Sequence, residues 1–152
     1  MLKKILKWVG IFLGGLVLLF ILIGVYTGYK EAGYRETAVP YIKKVIPEIS
    51  KWNYKESKKF FEPSTFEKVT DEELSKLFEW FSKLGKLKSI EEPKFNQVYS
   101  GTAVRESFGT IVTYTVLGHY ENGDANITIR LLDLGDSFEV YHFNVNSKAL
   151  LN

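Results

Sequence analysis

The sequence predicts an α+β protein: one N-terminal transmembrane helix, then two to three helices packed on a curved antiparallel sheet of four to five strands. Three observations carry this. An apolar run without charges fills the start of the chain. Apolar residues then recur at helical spacing as far as Leu84. From Lys86 onward the period falls to two.

The apolar run, Trp8 to Tyr29, holds 22 residues with no charge. As a helix it spans about 33 Å, enough for a hydrocarbon core of about 30 Å. A cleaved leader has a shorter apolar stretch and a small-x-small cleavage site. Here "VYTGYKEAGYRE" follows, without such a site. The segment therefore reads as an anchor that stays. Trp8 at one end and Tyr26 and Tyr29 at the other suit the two membrane interfaces. Lys3, Lys4 and Lys7 precede the run, which predicts a cytoplasmic N-terminus and a domain facing the periplasm or the cell exterior. The expected division is 1–30, cytoplasmic stub and anchor, and 31–152, an extracytoplasmic domain. Two GxxxG spacings, Gly10–Gly14 and Gly24–Gly28, are a candidate helix-dimer seam; the two pairs are read as lying on different faces.

The chain of 152 residues carries formal net charge +2. Residues 1–29 hold three lysines and no acid, so the remainder carries 17 basic and 18 acidic residues. A near-neutral domain argues against nucleic acid as a partner, because phosphate binding needs a basic surface. There is no cysteine, hence no disulfide or thiol nucleophile. Aromatics make up 15% of the chain, which argues against a disordered tail.

In the first amphipathic stretch, "TAVPYIKKVIPEISKW", Ala38, Ile42, Val45, Ile46, Ile49 and Trp52 form one stripe. Thr37 is placed to cap this helix, with Pro40 in its first turn and Pro47 kinking or ending it. Lys30 to Glu36 is read as a short tether. A short helix or turn before Pro63 follows. "TDEELSKLFEWFSKLGK" is the clearest helix. Thr70 and Glu73 make a capping box, Leu74, Leu77, Phe78, Phe81 and Leu84 a buried stripe, and Gly85 a left-handed cap.

"KLKSIEE" reads as an edge strand, followed by "NQVYSGTAVRES", "GTIVTYTVLGHYE", "DANITIRLLDL" and "SFEVYHFNVNS". Phe108–Gly109, Asn122–Gly123 (type I′) and Gly135–Asp136 are the expected reversals. Val112, Tyr114 and Val116 share one face, and Thr113 and Thr115 the other. Phe138 and Val140 differ in parity from Phe143 and Val145, so a bulge near Tyr141–His142 is expected to bring all four to one face.

Helices first, a curved antiparallel sheet after, Trp52 following the first helix, "KLGKLKS" at 83–89 and "FEVYHFNVNS" at 138–147 resemble small envelope members of the nuclear transport factor 2-like (cystatin-like cone) superfamily. The resemblance covers roughly residues 35–150. It implies a cone, with helices across a bent sheet around a hollow. Members include isomerases, dehydratases and secretion-system subunits, and the catalytic ones hold an Asp–His or Asp–Tyr set that is not matched here.

Chemistry is sparse. GxSxG, GxxxxGK[ST] and GxGxxG are absent, as is any His/Cys/Asp cluster at metal spacing, so no cofactor and no catalytic or metal residue is assigned. His119 shares the parity of Thr113 and Thr115, the solvent face. His142, at the bulge, is the better placed histidine. Trp52, Phe78, Trp80, Tyr114, His142 and Phe143 form the candidate ligand or partner surface. The leading expectation is a non-enzymatic domain held at the lipid bilayer that binds another envelope protein or itself. The alternative is a small apolar ligand binder, or an isomerase- or hydrolase-like domain using the hollow.

Overall fold

The computed structural model describes residues 2–104 and 107–151. The chain divides into two compact units, residues 1–36 and 37–152. The fold is α+β, with a long N-terminal apolar helix, a few short helices and a curved, open antiparallel sheet of five strands.

Helix α1, Leu2–Ile49, contributes to both units. Within the first, the large apolar side chains from Trp8 to Tyr29 are 41–80% exposed, and none of them is buried among the described residues. The helix is long and apolar enough to cross a membrane. Three expectations change here. Lys30 to Glu36 is helical rather than a tether, because Lys, Glu, Ala and Arg favour helix and no cap interrupts them. Thr37 lies inside the helix and caps nothing at its start. The four glycines also share a face. At about 100° per residue, the 14 residues from Gly10 to Gly24 fall just short of four turns, and all four lie within an arc of about 80°.

In the second unit, Ala38, Ile42, Val45, Ile46 and Ile49 are wholly buried, as their spacing predicts. Burying each branched side chain contributes about 1.5–3 kcal/mol. Pro40 and Pro47 lie within α1 and leave the carbonyls of Glu36 and Lys43 without their usual donors. The helix ends two residues past Pro47, so Trp52 lies beyond the helical stripe.

The chain then makes α2, Tyr54–Ser57, capped by Asn53. Two 3₁₀ turns follow, Lys58–Phe60 and Pro63–Phe66. Helix α3, Asp71–Ser82, opens on the capping box expected: Thr70 Oγ1 accepts from Glu73 N (3.2 Å), and Thr70 N donates to Glu73 Oε2 (2.8 Å). Leu74, Phe78, Phe81 and Leu84 are buried, but Leu77 is 43% exposed. Leu77 stands at the margin of the stripe and is only partly covered. Gly85 takes φ +75°.

Strands β1 (Leu87–Ile90) and β2 (Lys94–Val104) lie end to end along one side of β3 (Ser107–Tyr120); β4 (Gly123–Asp133) and β5 (Phe138–Asn146) follow on the other. Val112, Tyr114, Val116, Ile127, Ile129, Leu131, Val140 and Val145 fill the inner face. In β5, Arg130 pairs with His142 and Leu131 with Val140, leaving Tyr141 as the bulged residue. Val140 and Val145 are buried and Phe138 and Phe143 half-buried, as the bulge predicts.

The opposite face is less solvated than its parity implies. Thr113 is buried, and Ile111 and Leu132 form a second apolar cluster with Tyr141. Ile111 and Leu132 are direct cross-strand partners, and the bulge turns Tyr141 towards them.

Two reversals shift. Gly109 pairs with Gly101 and Ser107 with Val104, so Phe108–Gly109 is strand, not the reversal expected; residues 105–106 lie outside those described. Tyr120 pairs with Gly123, so Glu121–Asn122 make the β3–β4 loop. Neither has positive φ, which excludes type I′; the positive φ, +148°, belongs to Gly123. This loop is held from outside the hairpin. Asn122 N donates to Leu84 O (3.0 Å) and Asn122 Nδ2 to Lys83 O (2.7 Å). The Gly135 reversal stands, with φ +89° and Gly135 N donating to Asp133 Oδ1 at 2.8 Å.

Candidate functional site

Trp52 is the most constrained of the candidate residues. Its φ of +57° is unusual for a side chain branched at an aromatic ring, since a Cβ there crowds the carbonyl. Trp52 N donates to Ile49 O (3.0 Å), closing the end of α1. Its indole Nε1 donates to Gly85 O at 3.1 Å. The ring stacks on Tyr120 (5.7 Å, 28°) and tilts against Phe81 (5.7 Å, 39°). Tyr120 is tied in turn to Ser50 by a buried hydroxyl pair at 2.9 Å. Burial pushes the Tyr120 phenol up, partly offset by the Ser50 bond. Beside Trp52 lies an open groove of about 590 Å³, lined by Pro47, Ser50, Lys51, Gly85, Lys86 and Glu121 among others.

Three candidates converge on Phe81. Trp52, Phe78 (6.4 Å) and Trp80 (5.4 Å) each touch its ring. Phe78 belongs to the buried core, whereas Trp80 is 38% exposed beside the 43% exposed Leu77. These two lie three residues apart on α3 and form one small apolar surface. The other candidates lie elsewhere. Tyr114 is buried, edge-on to Phe95 at 5.6 Å. Phe143 meets Phe61 at 6.5 Å. His142 lies opposite Arg130 with its ring only partly in water; that partial desolvation, then the Arg130 charge, lower its pKa.

Two arrangements escape sequence reasoning. His119 sits between two carboxylates, Asp124 Oδ1 at 2.7 Å from Nδ1 and Glu91 Oε1 at 3.4 Å from Nε2. The Asp124 hydrogen bond, and then its charge and Glu91, raise the histidine pKa. The two-residue loop puts position 119 opposite 124, so the Asp124 half was legible once the loop was set. Glu91 arrives from beyond β1, a separation that no local pattern reports. The second is Glu62, which is fully buried. Its N–H donates to Val140 O (2.9 Å), and its Oε2 accepts from the Ser64 hydroxyl. Only the edge of β5, through the parallel bridge Phe61↔Val140, brings it inside.

Among the described residues, no group of three or more His, Cys, Asp or Glu side chains is placed to hold a metal ion. Gly10, Gly14, Gly24 and Gly28 have nothing within 4 Å of where a Cβ would stand. Compared with known proteins, the chain matches no family model, no curated protein and no solved structure.

Proposed function

We propose that the chain is a membrane-anchored interaction domain. The apolar half of α1 crosses the cytoplasmic membrane, with the lysine-flanked N-terminus inside and residues 37–152 in the periplasm or outside the cell. One observation carries this: sixteen large apolar side chains of α1 stand exposed, and lipid is the solvent that removes the cost. The partner is another envelope protein or a second copy of this chain. Leu77 and Trp80 support the first, since Trp is among the side chains enriched at interface hot spots and the exposed Leu77 extends its apolar surface. The α+β order and the bulged last strand support membership of the nuclear transport factor 2-like cone group.

The test is fractionation of cells expressing the full chain. The protein is expected to stay with membranes through a carbonate wash and to leave with detergent. A photo-crosslinking side chain at Leu77 or Trp80 is expected to trap a partner, whereas one at exposed Glu79 traps less. Recovery in the aqueous fraction sinks the anchor, and equal trapping at all three positions sinks this surface.

A second reading, a small apolar ligand or an isomerase- or hydrolase-like activity, is favoured by the groove beside Trp52. A positive φ at a bulky residue is a form of strain that collects at functional sites. Saturable movement of the Trp52 indole N–H resonance on titration with indole is expected under this reading, and its absence removes it.

A further inference from the structure

The sheet has one long edge along which, among the described residues, no further strand pairs. β3 takes β1 and β2 on one side and β4 on the other. At the far edge, β5 is partly covered by the bridge Phe61↔Val140 and by Glu62 N donating to Val140 O. β2 pairs only with β3, and among the described residues no strand lies along its other side. Its outer backbone N–H and C=O groups therefore face outward over 11 residues.

Natural edges are usually blunted by lysine, proline, shortness or a bulge. β2 has these only at its ends. Lys94 is its sole charge. Phe95↔Tyr114 and Gln97↔Thr113 leave Asn96 as a bulge, and the pairing shifts again between Gly101 and Val104. Between these lies a regular, uncharged stretch, Gln97–Gly101. Tyr99 is 58% exposed, and its ring lies over Gly101, where a Cβ would come within 2.8 Å of it. The ring thus leans along its own strand. Gly101 faces Gly109 across the pair, so bare backbone continues there.

We propose that this edge pairs antiparallel with β2 of a second copy of the chain. This deepens the interaction reading above by naming one partner, and it rests on that reading. A two-fold axis normal to the sheet sets one residue of the stretch opposite itself and its neighbours opposite each other. With no charge from Phe95 to Val104, no like charges meet in this register. A Tyr99–Tyr99 pairing at or near the axis adds aromatic contact. An independent element is also open to a second copy: the four anchor glycines share one face with no neighbour near it. Five residues bury little area, so membrane confinement of the copies supplies the effective concentration that the strand pairing alone lacks.

The chain has no cysteine, so single cysteines report without background. Gln97→Cys, Val98→Cys, Tyr99→Cys and Ser100→Cys, in the full chain in native membranes, are oxidised with copper phenanthroline. Asn144→Cys on β5 is the control. Self-pairing is expected to give a disulfide species of twice the 17.5 kDa chain mass. Its yield is expected to peak at one position and fall about fivefold or more at the next, because a disulfide tolerates only a narrow Cβ separation. Tyr99→Lys, or Gln97→Lys where position 99 carries the cysteine, is expected to abolish that species while leaving thermal unfolding unchanged. No disulfide at any of the four positions, a yield equal to that at Asn144, or an adduct of another mass overturns the proposal. A membrane-resident chain without these disulfides leaves the anchored-domain reading intact, whereas loss from the membrane fraction is the failure of that reading.

Discussion

Asp124 Oδ1 lies 2.7 Å from His119 Nδ1, directly across the β3–β4 hairpin, and Glu91 approaches the other ring nitrogen at 3.4 Å. The imidazole thereby joins β4, β3 and the segment after β1.

The two histidines are expected to titrate on opposite sides of the ordinary value of 6.5. His119 is raised, first by the Asp124 hydrogen bond, so its contribution to stability is fully present below the unfolded value. That contribution disappears as pH rises through the folded value. His142 is lowered by burial and then by Arg130, so its contribution is present above the unfolded value and lost as pH falls through the folded one. An NMR titration of the imidazole protons checks the order. Asp124→Asn is expected to bring His119 down towards His142, and an unmoved His119 refutes the assignment.

Trp52 inverts a familiar ranking. Alanine usually stabilises relative to glycine, but at φ +57° glycine loses the Cβ clash. Trp52→Gly is expected to be more stable than Trp52→Ala by about 1 kcal/mol. Both fall below the parent, because each loses the rings of Tyr120 and Phe81 and the bond to Gly85 O. Near-UV circular dichroism melts of the full chain in detergent rank the three. Alanine above glycine means that the left-handed turn relaxes without cost.

Removing the cap of α3 tests a purely local device. Thr70→Ala is expected to cost about 1 kcal/mol, since it deletes the acceptor for Glu73 N. Thr70→Ser keeps that acceptor and is expected to retain most of the stability. Equal losses in the two variants would assign the effect to the threonine methyl instead.

Burial and exposure separate two apolar residues that the sequence treats alike. Ile46→Ala, at a site with no exposure, is expected to cost about 2–5 kcal/mol. Leu77→Ala, at 43% exposure, is expected to change stability by less than about 0.5 kcal/mol. The photo-crosslinking side chain replaces the same Leu77, so a neutral Leu77→Ala melt keeps the trapping result interpretable.

How far the sequence reaches is clearest in particular elements. The capping box, the αL glycine after α3 and the buried stripe of α1 from Ala38 to Ile49 each depend on residues within a turn or two and are read correctly, though the stripe as read ran on to Trp52, beyond the helix. The β5 bulge also follows from local parity, because a change of phase within one strand admits few remedies. The errors are of another kind. The β3–β4 loop departs from type I′ because Asn122 bonds to Leu84, just past the end of α3 and 38 residues earlier in the chain. Leu77 keeps 43% exposure because it stands at the margin of the stripe, a degree of cover that depends on distant elements. Glu62 is buried only because residues 61–62 run beside β5.

Composition and periodicity by themselves determined the α+β class, the membrane-length apolar helix, the strand order in sequence and most of the inner face. These follow from nearest-neighbour geometry, in which 3.6 and 2 residues per repeat decide which side chains point together. Tertiary structure alone decided that β1 and β2 share one side of β3, that Trp52 is held with a positive φ between Tyr120 and Phe81, and that Glu91 reaches His119. Each depends on groups distant in the chain arriving at one place, and the energy of that meeting is recorded in no single stretch of residues.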